Sequence, residues 1–205
     1  LSNDGKGRGL LVPSEQGQVT ALRQAWTMAG LDPSMVSLVE CHATGTRVGD
    51  AAEVNTMAEV FAGAADVPVG SLKSNLGHLI TASGAAGVLK VLGAMEAGVR
   101  PPTLHVDTPM ELPAGSPLRL LSESEPWPDT ERRLAGVSNF GFGGNNAHLI
   151  VEEYVEGDAW HYLWPAPYDV EGMIALQHDG DDQAFRERLE LYWYRVESEE
   201  DDTLP

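Results

Sequence analysis

Val36-Ser37-Leu38-Val39-Glu40-Cys41-His42-Ala43-Thr44-Gly45-Thr46 decides how this chain is read. An apolar run of strand length ends in a histidine and two threonines, with a glycine to turn the backbone. The same grammar returns twice. Val67 to Leu72 runs into Lys73-Ser74-Asn75-Leu76-Gly77-His78, and Leu134 to Val137 leads to Gly141-Phe142-Gly143-Gly144-Asn145-Asn146-Ala147-His148. Each segment sets polar side chains where a buried strand ends, and open α/β folds build their sites there.

Helical patterns separate these strands. Ser14 is placed to cap a first helix that Gly30 ends, with Val19, Leu22, Trp26 and Ala29 on its inward face. Asp50 is placed to cap a second, with Val54, Met57, Ala58 and Phe61 inward, Glu53 as its capping-box partner and Gly63 as its stop. A third runs from Leu79 to about Ala97, and Gly84-Ala85-Ala86-Gly87 allows very close packing along it. Lys90 and Glu96 interrupt its apolar run, which marks a core helix rather than a membrane span. Arg100-Pro101-Pro102 ends it, and a proline-rich connector reaches Pro128. Leu134 to Val137 and Ala147 to Glu152 then flank the last glycine turn as a terminal strand pair. The order α-β-α-β-α-β-β predicts an α/β fold, a layered sheet with helices on its faces.

With 205 residues, 42% of them hydrophobic, the chain suits one domain plus something extra. Its formal net charge of −18 is unevenly spread. Residues 1–150 hold ten Lys and Arg against fifteen Asp and Glu; residues 151–205 hold three against sixteen, with all five tyrosines and three of the five tryptophans. The change separates a domain over 1–154 from an acidic aromatic tail, or a fragment of another module, over 155–205. An acidic balance argues against nucleic acid and anionic membranes, because phosphate binding needs clustered Lys and Arg. One cysteine, Cys41, excludes an internal disulfide and fits a reducing compartment. Leu1 to Gly9, polar and glycine-rich, lacks the signal-peptide pattern, so a soluble cytoplasmic protein is expected.

His42 and His78 carry the chemistry. A neutral imidazole at a loop or helix start donates a hydrogen bond to a developing enolate or thioester oxygen. Thr44 and Thr46 add hydroxyls that both donate and accept, and Lys73 stands five residues before His78. No His-Glu-x-x-His or Cys-x-x-Cys spacing is present, so no metal is expected. Cys41 abuts His42, but neighbouring side chains of a strand point to opposite faces, so a buried structural cysteine is the reading.

In this order the three loops resemble the C-terminal half of a β-ketoacyl synthase (ketosynthase) domain of type I polyketide synthases, in the thiolase superfamily. That family shows a His-Gly-Thr-Gly-Thr loop, a Lys-x-Asn-x-Gly-His loop and a Gly-Phe-Gly-Gly-Thr-Asn-Ala-His turn. Asn3-Asp4-Gly5, Gly49-Asp50, Pro101-Pro102-Thr103-Leu104-His105 and Pro117-Leu118-Arg119 agree as well. Two positions depart: Ala43 stands for the first glycine of the His loop, and Asn145 for the threonine of the last turn. The resemblance implies the second half of a thiolase-type layered α/β sandwich. It implies that His42 and His78 hold a malonyl thioester carbonyl, promote decarboxylation and stabilise the enolate, with Lys73 organising the site. Thr44 and Thr46 would hydrogen-bond a phosphopantetheine arm. The Phe142 N–H would form half of an oxyanion hole, its ring a gate.

The implied reaction joins an acyl thioester to a malonyl-type unit carried on acyl carrier protein, with no cofactor bound beyond that phosphopantetheine-linked substrate. The implied partners are the carrier protein and an N-terminal ketosynthase half bearing the nucleophilic cysteine, without which the chain is inactive. Two other readings stand beside this one. One is a non-catalytic fragment that complements a separate half or binds carrier protein; an exposed apolar face on 1–154 would favour it. The other concerns the tail, where Glu156-Gly157-Asp158-Ala159-Trp160-His161-Tyr162 and Pro167-Tyr168-Asp169-Val170-Glu171-Gly172 resemble a segment of calcium-dependent α-mannosidases. That likeness makes Glu156 a general-acid candidate in a glycosidase remnant, with Asp158 where the family has Asn. A helix from about Asp181 to Tyr194 is also expected in the tail.

Overall fold

A computed structural model describes residues 1–5, 9, 12–128 and 132–154, and the backbone at 160–162 and 176–178. The chain divides into two compact units, Leu1–Glu153 and Tyr154–Pro205. In the second, β9 (Trp160–Tyr162) pairs antiparallel with β10 (Leu176–His178). Glu156 and the helix expected over 181–194 lie outside the described residues.

The first unit is built on one six-stranded sheet. Its strands are β1 (Ser2–Asn3), β2 (Leu38–Glu40), β3 (Val67–Gly70), β5 (Leu118–Leu120), β7 (Leu134–Gly141) and β8 (Asn145–Glu152), in the order β1-β8-β7-β2-β3-β5. β2, β3, β5 and β7 run parallel, while β8 returns antiparallel to β7 and pairs with β1 at its outer edge. A small pair, β4 (Val99–Arg100) with β6 (Glu125–Pro126), lies apart.

Alternation along β2 shows how the layers form. Val39 joins α1 (Glu15–Ala29) and α2 (Arg47–Val60) in a core with Leu22, Trp26, Met57 and Phe61. Leu38 turns the other way, into a second core with Val91, Ala94, Met95 and Trp127 beneath α4 (Ser83–Ala97). The connector is anchored as well. The buried Trp127 donates its indole N–H to Ser37 Oγ at 3.0 Å, and Arg133 donates to the carbonyls of Trp127 and Met95.

Four local expectations need correction. α1 has its Ser14 cap and left-handed Gly30, but Ala29 is exposed, and Gln18 and Ala21 are buried instead. α2 starts at Arg47 with Thr46 as its cap, so Asp50 lies in the first turn and accepts loop N–H groups from 44–46. It also stops at Val60, before Gly63. The third helical region is broken. α3 (Lys73–Leu76) makes a single turn, Gly77, Leu79 and Ile80 take positive φ of 74°, 54° and 46°, and a short 3₁₀ turn precedes α4. Left-handed backbone cannot continue an α-helix, so α4 begins only at Ser83.

Asp4 pins β1 to the sheet. Asn146 Nδ2 donates to its carboxylate at 2.8 Å, and a Cβ built at Gly144 would come within 2.6 Å of its side chain. Gly144 also holds φ +75°, so Gly144→Ala combines strain with a clash. A loss of about 2–4 kcal/mol in denaturant unfolding is expected. Gly5→Ala is the control: φ is +58° but the space is open, so about 1 kcal/mol is expected. Equal losses would show that the fit around Asp4 is unimportant.

Candidate active site

β2 delivers the first loop. Cys41 N–H closes the ladder on Gly70 O, after which the backbone leaves the sheet at His42. Glu53 on α2 is buried at 2% exposure, and its two oxygens accept the N–H groups of His42 and Ala43, each at 2.7 Å. The capping-box role expected of Glu53 is therefore replaced by another: it holds the histidine loop. Burial pushes its carboxyl up to about 7, against the lowering effect of those two N–H groups.

β3 and the single turn of α3 deliver the second loop. The His42 and His78 rings meet edge to face, centroids 5.4 Å apart, and the Phe140 ring lies 5.7 Å from His42. Together with Ser83 and Asn139 they line a cavity of about 450 Å³. Among the described residues, His42 Nδ1 is buried without a hydrogen-bond partner. Burial first, then the charges of Lys73 and His78, lower the His42 pKa to about 4, so this imidazole is neutral at physiological pH. A neutral imidazole beside a second one, in a cavity open to a small ligand, is built to donate hydrogen bonds to an oxygen that gains charge.

Lys73 begins α3 and donates from Nζ to Cys41 O at 3.4 Å. Burial lowers its pKa, while Glu40 and Glu53 oppose that. It lines a second cavity of about 660 Å³ with Thr44, Glu53 and Ser74, apart from the cavity of the histidines. Cys41 is 5% exposed, and burial, then Glu53 and Glu40, push its thiol well above the ordinary range. Burial and the raised pKa both disfavour the thiolate that a cysteine nucleophile needs.

The β-ketoacyl synthase C-terminal domain model matches residues 1–107, more than half of the chain. The chain belongs to that family. A ketosynthase from module 6 of the bacillaene synthase of Bacillus subtilis 168 is similar at 40% identity and a TM-score of 0.69, over 75% of this chain and 29% of that one. Polyketide synthase GfsA of Streptomyces halstedii is 43% identical over 82% of this chain and 2% of its own length. The highly reducing polyketide synthase poxF of Penicillium oxalicum is 41% identical over 74% of this chain and 6% of its own. The chain thus spans less than a tenth of these synthases and under a third of that ketosynthase. Its layered α/β fold is that of the solved ketosynthase. Among the described residues, no helix is long and apolar enough to cross a membrane.

Within this ketosynthase frame, the remaining predicted site residues fall into place unevenly. Thr44 and Thr46 are exposed, hydroxyls 3.3 Å apart, and Thr44 alone of the two lines the second cavity. Phe142 sits at the β7–β8 turn and is 77% exposed, while Phe140, two residues earlier on the strand, meets the His42 ring. Both departures from the family pattern have local consequences. Ala43 holds φ +30°, where the family's glycine is unstrained and an L side chain is not. Asn145 accepts from Asn3 Nδ2 at 2.7 Å and donates to Phe142 O at 3.4 Å, bracing the turn against β1.

Proposed function

We propose that residues 1–154 act as the C-terminal half of a ketosynthase that performs decarboxylative Claisen condensation in polyketide or fatty-acid assembly. The observation that carries this reading is the pair of facing imidazoles, His42 and His78, in one cavity of a ketosynthase-family chain. The malonyl-type unit arrives as a phosphopantetheine thioester on acyl carrier protein, in the cytoplasm. Both histidines donate hydrogen bonds to its thioester oxygen. The carbon–carbon bond to the carboxylate breaks, carbon dioxide leaves, and the electron pair becomes an enolate held by those donors. The enolate carbon then attacks an acyl thioester on a cysteine of the N-terminal half. The carbon–sulfur bond breaks and the cysteine departs as thiolate. Lys73, through the Cys41 carbonyl and its charge on His42, keeps the first imidazole placed and neutral. Thr44 and Thr46 serve the pantetheine arm, and the Phe142 N–H serves the acyl oxygen.

The surface supports a completing half. Leu76, Leu79 and Ile80 beside His78, with Leu89 and Leu92 on the outer face of α4, are all exposed, Ile80 at 80% and Leu89 at 69%. Exposed apolar side chains in this number support cover by another folded unit, which this reading shares with that of a complementing fragment. The test is complementation. The 205-residue chain, given acyl and malonyl thioesters, is expected to show no acyl adduct on Cys41 by mass spectrometry and no condensation. Adding a cysteine-bearing N-terminal ketosynthase half is expected to restore both acylation, on that half, and condensation. An adduct on Cys41, or an assembled pair that acylates but never decarboxylates malonyl thioester, would overturn the proposal.

A further inference from the structure

Between β2 and α4 lies an ion pair that the reaction above does not use. Glu40, the last residue of β2, stands two residues before His42. Its Oε2 accepts from Lys90 Nζ of α4 at 2.7 Å, with side-chain exposures of 3% for the glutamate and 9% for the lysine. Its Oε1 accepts the backbone N–H of Leu72, also at 2.7 Å. Leu72 is the cap of α3, the single turn that carries Lys73 and leads to His78. One carboxylate therefore joins the strand before the first histidine, the turn before the second, and the helix that follows it.

The packing around this carboxylate is close. A Cβ built at Gly87 of α4 would come 3.1 Å from Glu40 Cγ and 3.2 Å from Val137. Helix and strand meet at glycine distance, so Glu40 has little freedom to swing away. A buried ion pair is seldom more stabilising than an apolar pair of equal size, because desolvation consumes the Coulombic gain. Stability alone does not account for this pair; the backbone bond that its second oxygen makes does.

We propose that the buried Glu40–Lys90 pair is a positioning element of the histidine site, its carboxylate fixing the segment that carries His78 against the strand that carries His42. Lys90 holds Glu40 in the orientation that receives the Leu72 N–H, and neither residue touches the reacting atoms. For its catalytic readout the idea rests on the function proposed above; for its structural readout it does not. The same logic governs the neighbouring loop, where Glu53 holds His42 and Ala43 by their N–H groups. Each histidine loop thus hangs from one buried carboxylate.

Two double variants separate geometry from charge. E40L/K90M removes the pair and the acceptor while keeping apolar volume. E40Q/K90M removes the ion pair but keeps a carbonyl oxygen for the Leu72 N–H. Hydrogen exchange is read in the 205-residue chain at the amides of Asn75, Leu76 and Gly77, whose hydrogen bonds form the α3 turn. Exchange is expected to rise at least about tenfold in E40L/K90M at a melting temperature near wild type, and to stay protected in E40Q/K90M. In the assembled ketosynthase, kcat for malonyl decarboxylation is expected to fall about 10- to 100-fold in E40L/K90M and to recover in E40Q/K90M, with self-acylation unchanged.

Should E40L/K90M fail to fold, Leu72→Pro decides. Leu72 has φ −70°, which proline adopts, so that variant removes the N–H together with the leucine side chain and leaves both members of the ion pair in place; Leu72→Ala, which loses only the side chain, is its control. The proline variant is expected to match E40L/K90M in decarboxylation. Full decarboxylation in both E40L/K90M and L72P, or equal exchange in all variants, would overturn the proposal. If the wild-type assembly itself does not decarboxylate, the proposed function fails, while the exchange contrast still decides the positioning role.

Discussion

Replacing His42 or His78 by alanine is expected to lower malonyl decarboxylation in the assembled ketosynthase by about two to three orders of magnitude. The size follows from what each imidazole supplies. A preorganised donor aimed at an oxygen that becomes negative only in the transition state stabilises that state by about 3–4 kcal/mol, and water does not replace it. His42 is suited to the task because burial and the Lys73 charge hold its pKa near 4, so it stays a neutral donor across the physiological range. His78 meets it at 5.4 Å, which places both within reach of one small group. The loss should fall on kcat for decarboxylation and condensation. Self-acylation depends on a cysteine elsewhere and should be spared. Carbon dioxide release from a malonyl thioester, set against the mass of the acyl-enzyme, separates the two. Alanine variants that decarboxylate within a few-fold of wild type, or that lose acylation to the same degree, would refute the assignment.

How far the sequence led can be judged from particular residues. Val39 and Val67 announce central strands because parallel strands are buried on both faces and need unbroken apolar runs. Both are fully buried. Ser14 and Gly30 announce the ends of α1 because capping is local chemistry; Ser14 Oγ accepts the Gly17 N–H at 3.1 Å. Where tertiary contacts choose among local options, the pattern misled. Asp50 looks like a cap, yet the loop places the helix start at Thr46 and turns Asp50 back onto the loop amides. The backbone at Leu79 and Ile80 is left-handed with no glycine, a conformation that no composition rule signals.

The site shows the same division. His42, His78 and Lys73 stand out because their loops carry them in a distinctive order. Phe142 stands out for the same reason, but the turn carries its ring into solvent, and Phe140 contacts His42 from the strand. Glu53 and Glu40 are harder to read. Each is a lone acid among apolar residues, Glu40 after Leu38 and Val39, Glu53 before Val54 and Met57. A buried acid must be satisfied, and the unsatisfied groups nearby are the amides of loops that leave the sheet. That argument points to both carboxylates before any coordinates exist, although it does not say which loop each one holds.

Acid should weaken the fold through His148 in a way that one variant exposes. His148 lies in β8, its Nδ1 2.9 Å from Ser138 Oγ and its Nε2 buried without a partner among the described residues. The ring lies directly over Gly136, where an added Cβ would come 2.7 Å from Cε1. Burial lowers its pKa to about 3, because an imidazolium there would be both desolvated and unpaired. In the unfolded chain the same histidine titrates near 6.5. Above that pH both states are neutral and the residue is indifferent to pH. Below it the unfolded chain gains a proton that the folded chain refuses. Stability therefore falls by about 1.4 kcal/mol per pH unit down to about 3, roughly 5 kcal/mol across the window. His42 acts in the same direction down to about 4. Glu53 acts oppositely, because its raised pKa of about 7 makes the folded state bind a proton more readily as pH drops from there towards 4.5. The whole-protein curve mixes these effects, so the measurement is a difference. His148→Asn keeps a polar group near Ser138 but cannot charge, and its urea-unfolding free energy is compared with wild type at each pH. The variant is expected to be less stable at pH 7.5, where it has lost packing, and to overtake wild type as pH falls below about 5. Parallel curves over that range would show that His148 takes up its proton in the folded state as easily as in the unfolded one.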